Sequence, residues 1–374
     1  MDARLPLRSQ EGFGTIQEIG YRVTMNSQSK PTLIDVAQAA GVSRSTASNV
    51  FAHPQRVRPA IRQRVEEAAR SLGYLGPDPR GRLLRAGKFN ALGFIIPGTY
   101  GLVNLIESPY GRELILGLSD ACDAAGVSLT LVDGGGEQAS TAVANALVDG
   151  FVLTNTRDPG LARTMAQRAL PFTIIDMPAA PEFPSVGIDA HGGALEAARH
   201  LLAQGHRRFA IVSVRHEPGP AIVHPPGSGR RLHDAFPLDE AKLRGYAEAL
   251  AEAGLSIDDM PIVESVPWDP EIGSAILEAA PDATALLVMS DRQALTVLRE
   301  ARKRGIAVPG ALSIVGFDGV PEGAHASPRL TTVVQPIREK ARLAAAMVLG
   351  LEPHARHILP ARLHIRGSSG PAPA

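Results

Sequence analysis

The sequence predicts an α/β chain: a small helix-turn-helix headpiece followed by two doubly wound parallel-sheet subdomains. Three observations carry that expectation. Beyond Asn90 short apolar runs ("ALGFII", "VSLTLV", "GFVLT", "FTIID", "FAIVSV", "ALLVM", "LSIVGF") alternate with helical patterns, the rhythm of parallel strands covered by helices on both faces. Before them, "TLIDVAQAAGVSRSTASNVF" sets a small-residue helix directly against a Ser/Thr/Arg/Asn-rich one. The charge is also uneven: eleven Lys/Arg face four Asp/Glu from Lys30 to Lys88, while the whole chain is neutral.

In chain order, residues 1–29 lack periodicity and are read as a disordered tail, and Met25 is an alternative start. Residues 30–76 read as three short helices. Thr32 caps the first, with Asp35 as its capping-box partner. Gly41 ends it, Ser43 caps the second, and Pro59 suits the first turn of the third. There Ile61, Val65, Ala68, Ala69 and Leu72 fall on one face, and Gly73 closes the helix. "GPDPRGRLLRAG" then breaks the pattern and makes 77–88 a linker with a short helical possibility from Pro79 to Leu84. Four long helical patterns follow: "YGRELILGLSDACDAAG", "HGGALEAARHLLAQG", "DEAKLRGYAEALAEAG" and "DRQALTVLREARKRG". Arg215 to Leu238 is too rich in Pro and Gly for a regular element and reads as an insertion on the rim.

Composition narrows the function. At 374 residues the chain is long enough for two or three domains. With 44% apolar and 20% charged residues it is ordinary globular material. No stretch approaches the roughly 18 apolar residues of a membrane span, and no signal-peptide pattern opens the sequence. One cysteine, Cys122, excludes an internal disulfide and suits a reducing compartment. A cytoplasmic protein is expected. The basic module on an otherwise acidic body points to a polyanionic partner for that module alone.

The opening segment explains the partner. Ala37, Ala39, Ala40 and Gly41 let two helices cross closely through a tight turn, the steric demand of a helix-turn-helix. Val42, Ala47 and Val50 then face inward, leaving Arg44, Ser45, Ser48 and Asn49 outward to meet base edges and phosphates. A plain helical hairpin with a polar face leaves the basic third helix and the Arg-rich linker unexplained.

With "VRPAIRQRVEEAARSLGY", "RLLRAG", "HLLAQGHRRFAIV", "VMSDRQALTVLREARKRGIAVPGALSIVGFDGVP" and "RLTTVVQPIREKARLAAAMVL" added, the chain resembles the lactose-repressor/galactose-repressor (LacI/GalR) family over residues 32 to 367. The resemblance implies a dimeric transcriptional regulator, expected to be a repressor, with a periplasmic-binding-protein-like core. It places the core subdomains at 89–188 plus 335–358 and at 189–334 plus 359–367, with 368–374 as a tail. Arg44 and Ser45 match positions that read bases. Thr46 and Ser48 match supporting positions, and Thr32, Ser43 and Arg56 complete the contact set. Asn49 stands where many members carry a guanine-reading Arg; Asn pairs more naturally with adenine. Leu84 matches a wedge for the operator's central minor groove. Gly81 replaces a usual alanine, at a helical cost of about 1 kcal/mol.

For the crevice between subdomains, the resemblance implies a small effector, a sugar or sugar derivative. Asp176, Trp268, Asp318 and Gln335 match ligand positions. Lys242 stands in for an Arg, Ser290 for Asn or Asp, and Ile337 for an aromatic residue. Neither a cofactor nor a metal is expected: the eleven histidines lack ligand spacing, and His216, His224 and His233 read as surface-loop residues. "DGGGE" at 133–137 reads as a turn, and Cys122 as an inert core residue. A nucleotide-binding α/β enzyme would need a phosphate-binding glycine turn, and a sugar-binding transport protein would leave the headpiece without a purpose. With no heptad-bearing helix after "LPARLHIRG", a homodimer is expected rather than a tetramer.

Overall fold

A computed structural model describes residues 31–77, 87–97, 101–135, 139–154, 159–167, 169–176, 182–229 and 236–374. The expected N-terminal tail and most of the linker, with Gly81 and Leu84, lie outside the described residues, as does His233. The chain divides into two units, 1–87 and 88–374.

In the first unit, α1 (Leu33–Ala39) is opened by the expected capping box: Thr32 N–H donates to Asp35 Oδ2 at 2.7 Å, and Asp35 N–H to Thr32 Oγ1 at 3.4 Å. Gly41 takes φ +62° at the turn, where a side chain would be strained. Ser43 caps α2 (Arg44–Ala52) by accepting Thr46 N–H at 3.1 Å. Pro59 opens α3 (Pro59–Leu72), and Gly73 closes it in the left-handed region. Val36, Ala37, Ala40, Ala47, Val50, Val65, Ala68 and Ala69 make the core. Leu72, expected on the inward face of α3, is exposed; Tyr74, just past Gly73, packs edge-on to Phe51 at 5.6 Å at that end. Ala39, expected among the small residues of the helix crossing, is exposed as well.

The second unit holds two sheets. The first is built from β1 (Ala91–Pro97), α4 (Gly101–Glu107), α5 (Pro109–Ala125), β2 (Ser128–Gly134), α6 (Ala139–Asn145), β3 (Gly150–Thr154), α7 (Pro159–Gln167), β4 (Phe172–Ile175) and β5 (Ser185–Ile188). The chain then crosses through α8 (Ala190–Ala203) into the second sheet. This adds β6 (Phe209–Val214), β7 (Ile222–His224), α9 (Pro237–Glu252), β8 (Ile262–Ser265), α10 (Ile272–Ala279), β9 (Ala285–Val288), α11 (Asp291–Lys303), β10 (Ser313–Asp318), α12 (Pro321–His325) and β11 (Thr331–Val334). It returns through α13 (Ile337–Val348) to β12 (Arg356–Leu359), then crosses once more to β13 (Arg362–His364).

The strand orders are β12-β5-β4-β3-β1-β2 and β13-β11-β10-β9-β6-β8-β7. The first sheet is wholly parallel. The second carries an antiparallel strand at each edge, β13 and β7. All seven apolar runs quoted above are strands, and each sheet has a packed hydrophobic cluster on either face. That two-sided burial is why the inner strands read as continuous apolar runs rather than alternating ones; β2, at the sheet's edge, is only partly buried.

Two expectations are corrected here. The 215–238 insertion contains an element after all: Ile222–His224 pairs with Ile262–Glu264. Prolines bound this strand on both sides without interrupting it, and an edge strand tolerates that. The 368–374 segment, expected as a tail, is bound to the second sheet. Ser368 Oγ donates to Ile314 O at 2.6 Å and accepts Thr331 N–H at 2.8 Å, while Ala372 N–H donates to Gln204 O. Buried His206 joins the same network through Thr284 and Gly370.

Close helix packing sets the first subdomain's geometry. A Cβ on Gly117 of α5 would stand 2.1 Å from Arg338 O of α13, so only glycine permits this approach. Gly117→Ala gains about 1 kcal/mol of helix propensity but forces the helices apart at a cost of about 1–3 kcal/mol. A net loss in the urea unfolding midpoint is expected; an unchanged or higher midpoint would show that the pair separates freely.

Candidate functional site

The headpiece presents one chemical face. Arg44, Ser45 and Asn49 are exposed on α2, Thr46 and Ser48 are half-buried beside them, and Arg56 is exposed on the 3-10 turn Pro54–Arg56. Buried Ala47 and Val50 fix the opposite side of the helix, so the polar row is aimed by the core. The Ser45 hydroxyl is engaged with Ser43 Oγ at 2.8 Å, as is that of Thr46. Ser43 therefore sets the rotamers at the start of the row as well as capping it. Exposed Thr32 is held by Asp35.

The second unit's crevice lies at the carboxyl ends of its strands, where open α/β sheets bind ligands. Asp176 follows β4, His216 follows β6, Trp268 follows β8, Ser290 follows β9, Asp318 ends β10 and Gln335 follows β11. Asp176 and Asp318 both have positive φ, +58° and +128°. Such strain in non-glycine residues persists only where the surroundings enforce it.

The crevice floor is a buried polar chain. Lys340 of α13, fully buried, donates to Asp176 Oδ2, to Gln335 Oε1 at 2.7 Å and to Tyr110 OH at 3.1 Å. Gln335 Nε2 donates to Asp318 Oδ1 at 2.8 Å, and Tyr110 OH donates to Asp176 Oδ2 at 2.8 Å. Lys242 donates to Met289 O at 3.0 Å, lies 3.5 Å from Asp239 Oδ1 and sits 4.5 Å over the Phe317 ring. Asp239 Oδ2 is 2.6 Å from His216 Nε2, and His216 stacks on Phe236 at 3.7 Å.

Charge is managed at some cost. Burial pulls the Lys340 ammonium below its usual range, against the attraction of Asp176 and Asp318. Burial also pushes up two carboxyls: Asp291 to about 7, with help from Asp318's charge, and Asp318 to about 6, against the pull of Lys242. Asp291 is held by Gly319 N–H at 2.8 Å, Val320 N–H at 3.0 Å and the Thr332 hydroxyl at 2.6 Å.

Of the sequence-derived crevice residues, Lys242, Trp268, Ser290, Asp318 and Gln335 line one cavity with Tyr110, Phe236 and His216. Asp176 does not line it; it borders a separate cavity of about 380 Å³ with Arg244 and Arg356. Ile337 is packed in the core with Phe94 and Leu114, because the first position of α13 turns toward the first sheet's helices. His216 is buried rather than on a surface loop, and His224 is half-buried against Glu264 at 2.9 Å. Cys122 is buried, its thiol pushed up to about 11 by burial and then by Asp123.

Sequence reading missed Tyr110, His216, Phe236, Asp239 and Lys340. For Lys340 a signal existed: it falls on the stripe Ile337, Ala341, Ala344, Ala345 and Val348 that α13 buries, and a lysine on such a stripe needs a buried partner. His216 and Phe236 sit at the ends of an aperiodic insertion that gives no such cue.

Residues 32–76 match the family model of bacterial regulatory proteins, lacI family, and residues 198–369 match that of a periplasmic binding protein-like domain. An HTH-type transcriptional regulator of Mycolicibacterium smegmatis is 35% identical over 337 residues, covering 85% of this chain and 90% of its own. Among solved structures, the transcriptional regulator CelR–cellobiose complex aligns with TM-score 0.63 and 27% identity, over 90% of this chain and 99% of that one. The lac repressor dimer bound to operator and the anti-inducer ONPF aligns with TM-score 0.70 and 23% identity, over 91% and 100%. At that identity the likeness concerns the fold alone.

The buried carboxyls give a pH signature. Their folded pKa values lie above the ordinary value of 3.8, so between about pH 4 and pH 7 the folded state binds more protons than the unfolded one. Their contribution to stability therefore falls as pH rises through that window. Asp318→Asn removes one titration, and its Tm relative to the unmodified protein should rise from pH 5 to pH 8. A difference that is flat or falls with pH would contradict the raised carboxyl.

Proposed function

The chain belongs to the LacI family of bacterial regulatory proteins, DNA-binding transcriptional regulators, and on that premise we propose that it is a repressor that binds a palindromic operator as a homodimer. A small effector, a sugar or sugar derivative, controls it from the crevice between the two subdomains. The observation that carries the DNA reading is the α2 row: exposed Arg44, Ser45 and Asn49 over a core of Ala47 and Val50. Helix donors in that arrangement fit the major groove, with Arg44 suited to guanine and Asn49 to adenine. Thr32, Ser43, Thr46, Ser48 and Arg56 supply docking and phosphate contacts.

The homodimer reading is supported by α4, where Leu102, Val103 and Ile106 are all exposed on one side of the helix. Apolar side chains grouped in this way favour a protein partner over water. The effector reading is supported by the cavity that joins Trp268 and Tyr110 to Ser290, Asp318 and Gln335. Flat rings suit the C–H face of a sugar, and polar atoms beside them suit its hydroxyls. The cellobiose complex of CelR is consistent with that chemistry. A DNA partner places the protein in the cytoplasm. A transport protein or a nucleotide-binding enzyme would have no use for the α2 row.

The test is operator binding by Arg44→Ala. A loss of roughly 1–3 kcal/mol on the palindromic site, with a much smaller loss on random DNA, is expected if Arg44 reads bases. Equal losses on both would reduce Arg44 to a phosphate contact, and a footprint over only one half-site would reject the symmetric dimer.

A further inference from the structure

We propose that the cavity along α11 binds a phosphate group, carried as the free ion or as a small phosphate ester. The cavity holds about 580 Å³ and is lined by Arg292, Arg299 and Arg302 of α11, with Arg112 of α5 also on its wall. Their spacing puts the three α11 arginines on one face of the helix.

These cations differ from their neighbours in what they lack. Lys303 and Arg304, next along the chain, are paired with Glu300, and Arg304 also reaches Glu278. Arg292, Arg299 and Arg302 have no ion pair among the described residues; Arg299 donates only to the Thr296 hydroxyl, at 2.9 Å. Arg292 is half-buried. Burial pulls its guanidinium below the usual range, Glu107 opposes this, and the like charges of Arg112 and Arg299 add to it. Its Nη1 is sealed in the wall without a hydrogen-bond partner. Arg292 therefore supplies charge to the cavity, and the exposed Arg299 and Arg302 supply the donors. Clustered like charges repel, and an anion among them offsets that repulsion.

The donors select the class of anion. A carboxylate has two oxygens in one plane, whereas a phosphate group turns three acceptor oxygens in different directions. That suits two guanidinium forks arriving from successive turns of a helix, with the Ser327 hydroxyl beside them. Of the three carboxylates on the rim, Glu322 is paired with Arg112, and Asp269 accepts the Ser265 hydroxyl and Glu271 N–H. The volume exceeds that of a phosphate ion, and Leu295, Pro267 and Pro270 supply apolar wall for the carbon part of an ester.

Pro267, Trp268 and Arg292 line both this cavity and the aromatic one, so they form the wall between them. An anion that draws on Arg292 alters one side of the aromatic cavity, and coupling of that kind is reciprocal between the two ligands. Only this consequence rests on the effector reading; the anion site does not.

The experiment titrates inorganic phosphate and glycerol phosphate into the full chain by calorimetry at constant ionic strength, with acetate and glycerol as controls. Arg299→Gln and Arg302→Gln remove exposed donors and leave the core intact. Lys303→Gln removes an equal charge from the same helix outside the cavity. Phosphate should bind, weakened on the order of tenfold by each cavity variant and unchanged in Lys303→Gln. Tighter binding of the ester than of the ion makes the ester the occupant; equal or weaker binding of the ester makes it the free ion. Equal weakening by all three variants would reduce the effect to net charge and overturn the site. Loss of binding in Arg44→Ala, with the cavity variants unaffected, would place the phosphate on the headpiece and overturn it too. So would acetate binding as tightly as phosphate, or no binding of either phosphate.

Discussion

A single lysine organises the crevice. Lys340 spends each of its three N–H donors on a different partner, Asp176, Tyr110 and Gln335, and Gln335 passes the connection across the crossover segment to Asp318. The chain of bonds thus starts on β4 and α5 of the first subdomain and ends on β10 of the second. A buried ion pair is weak evidence for stability, because desolvation offsets most of its attraction. Its consequence is geometric. Gln335 is oriented by a donor at one end of its amide and an acceptor at the other, and Asp176 is fixed with one oxygen engaged and the other buried without a hydrogen-bond partner among the described residues. The polar groups that the family resemblance assigns to ligand binding are in large part engaged with one another.

That engagement bears on how the crevice chooses a ligand. Lys242, which lines the aromatic cavity, is held by Met289 O and Asp239, so the charge standing in for the usual Arg is tied to the wall. The aromatic cavity also has ring surface from Trp268, Tyr110 and Phe236, with Ser290 and Asp318 beside it. Burial holds the Asp318 carboxyl above the ordinary carboxylate range, against the pull of Lys242. The insertion read as a bare rim contributes to the wall through His216 and Phe236, which stack together and lean on Asp239.

The legible parts of the fold were those with local causes. The Thr32–Asp35 capping box, the Ser43 cap, and Gly41 and Gly73 in the left-handed region are set by neighbours in sequence. Likewise, a strand buried on both faces is apolar along most of its length, so the inner strands were readable as apolar runs. The illegible parts have distant causes. β7 exists because the edge of β8 was open to three residues between prolines, and residues 368–372 are held by Ser313, Thr331 and Gln204. In the site, Trp268, Lys242, Ser290, Asp318 and Gln335 came from motif positions, whereas Ile337 faces the core because a helix register, not a motif, decides its direction. Lys340 was written on an apolar stripe, but its partners Asp176 and Tyr110 lie 164 and 230 residues away in sequence.

The most direct test of Lys340 as organiser is a double-mutant cycle with Asp176, followed by urea unfolding. Lys340→Met alone should cost about 3–5 kcal/mol by leaving Asp176 buried without its counter-charge. Adding Asp176→Asn should recover a substantial part of that loss, with a coupling of about 1–3 kcal/mol. Simple additivity of the two substitutions would contradict the account and leave Lys340 as one buried side chain among others.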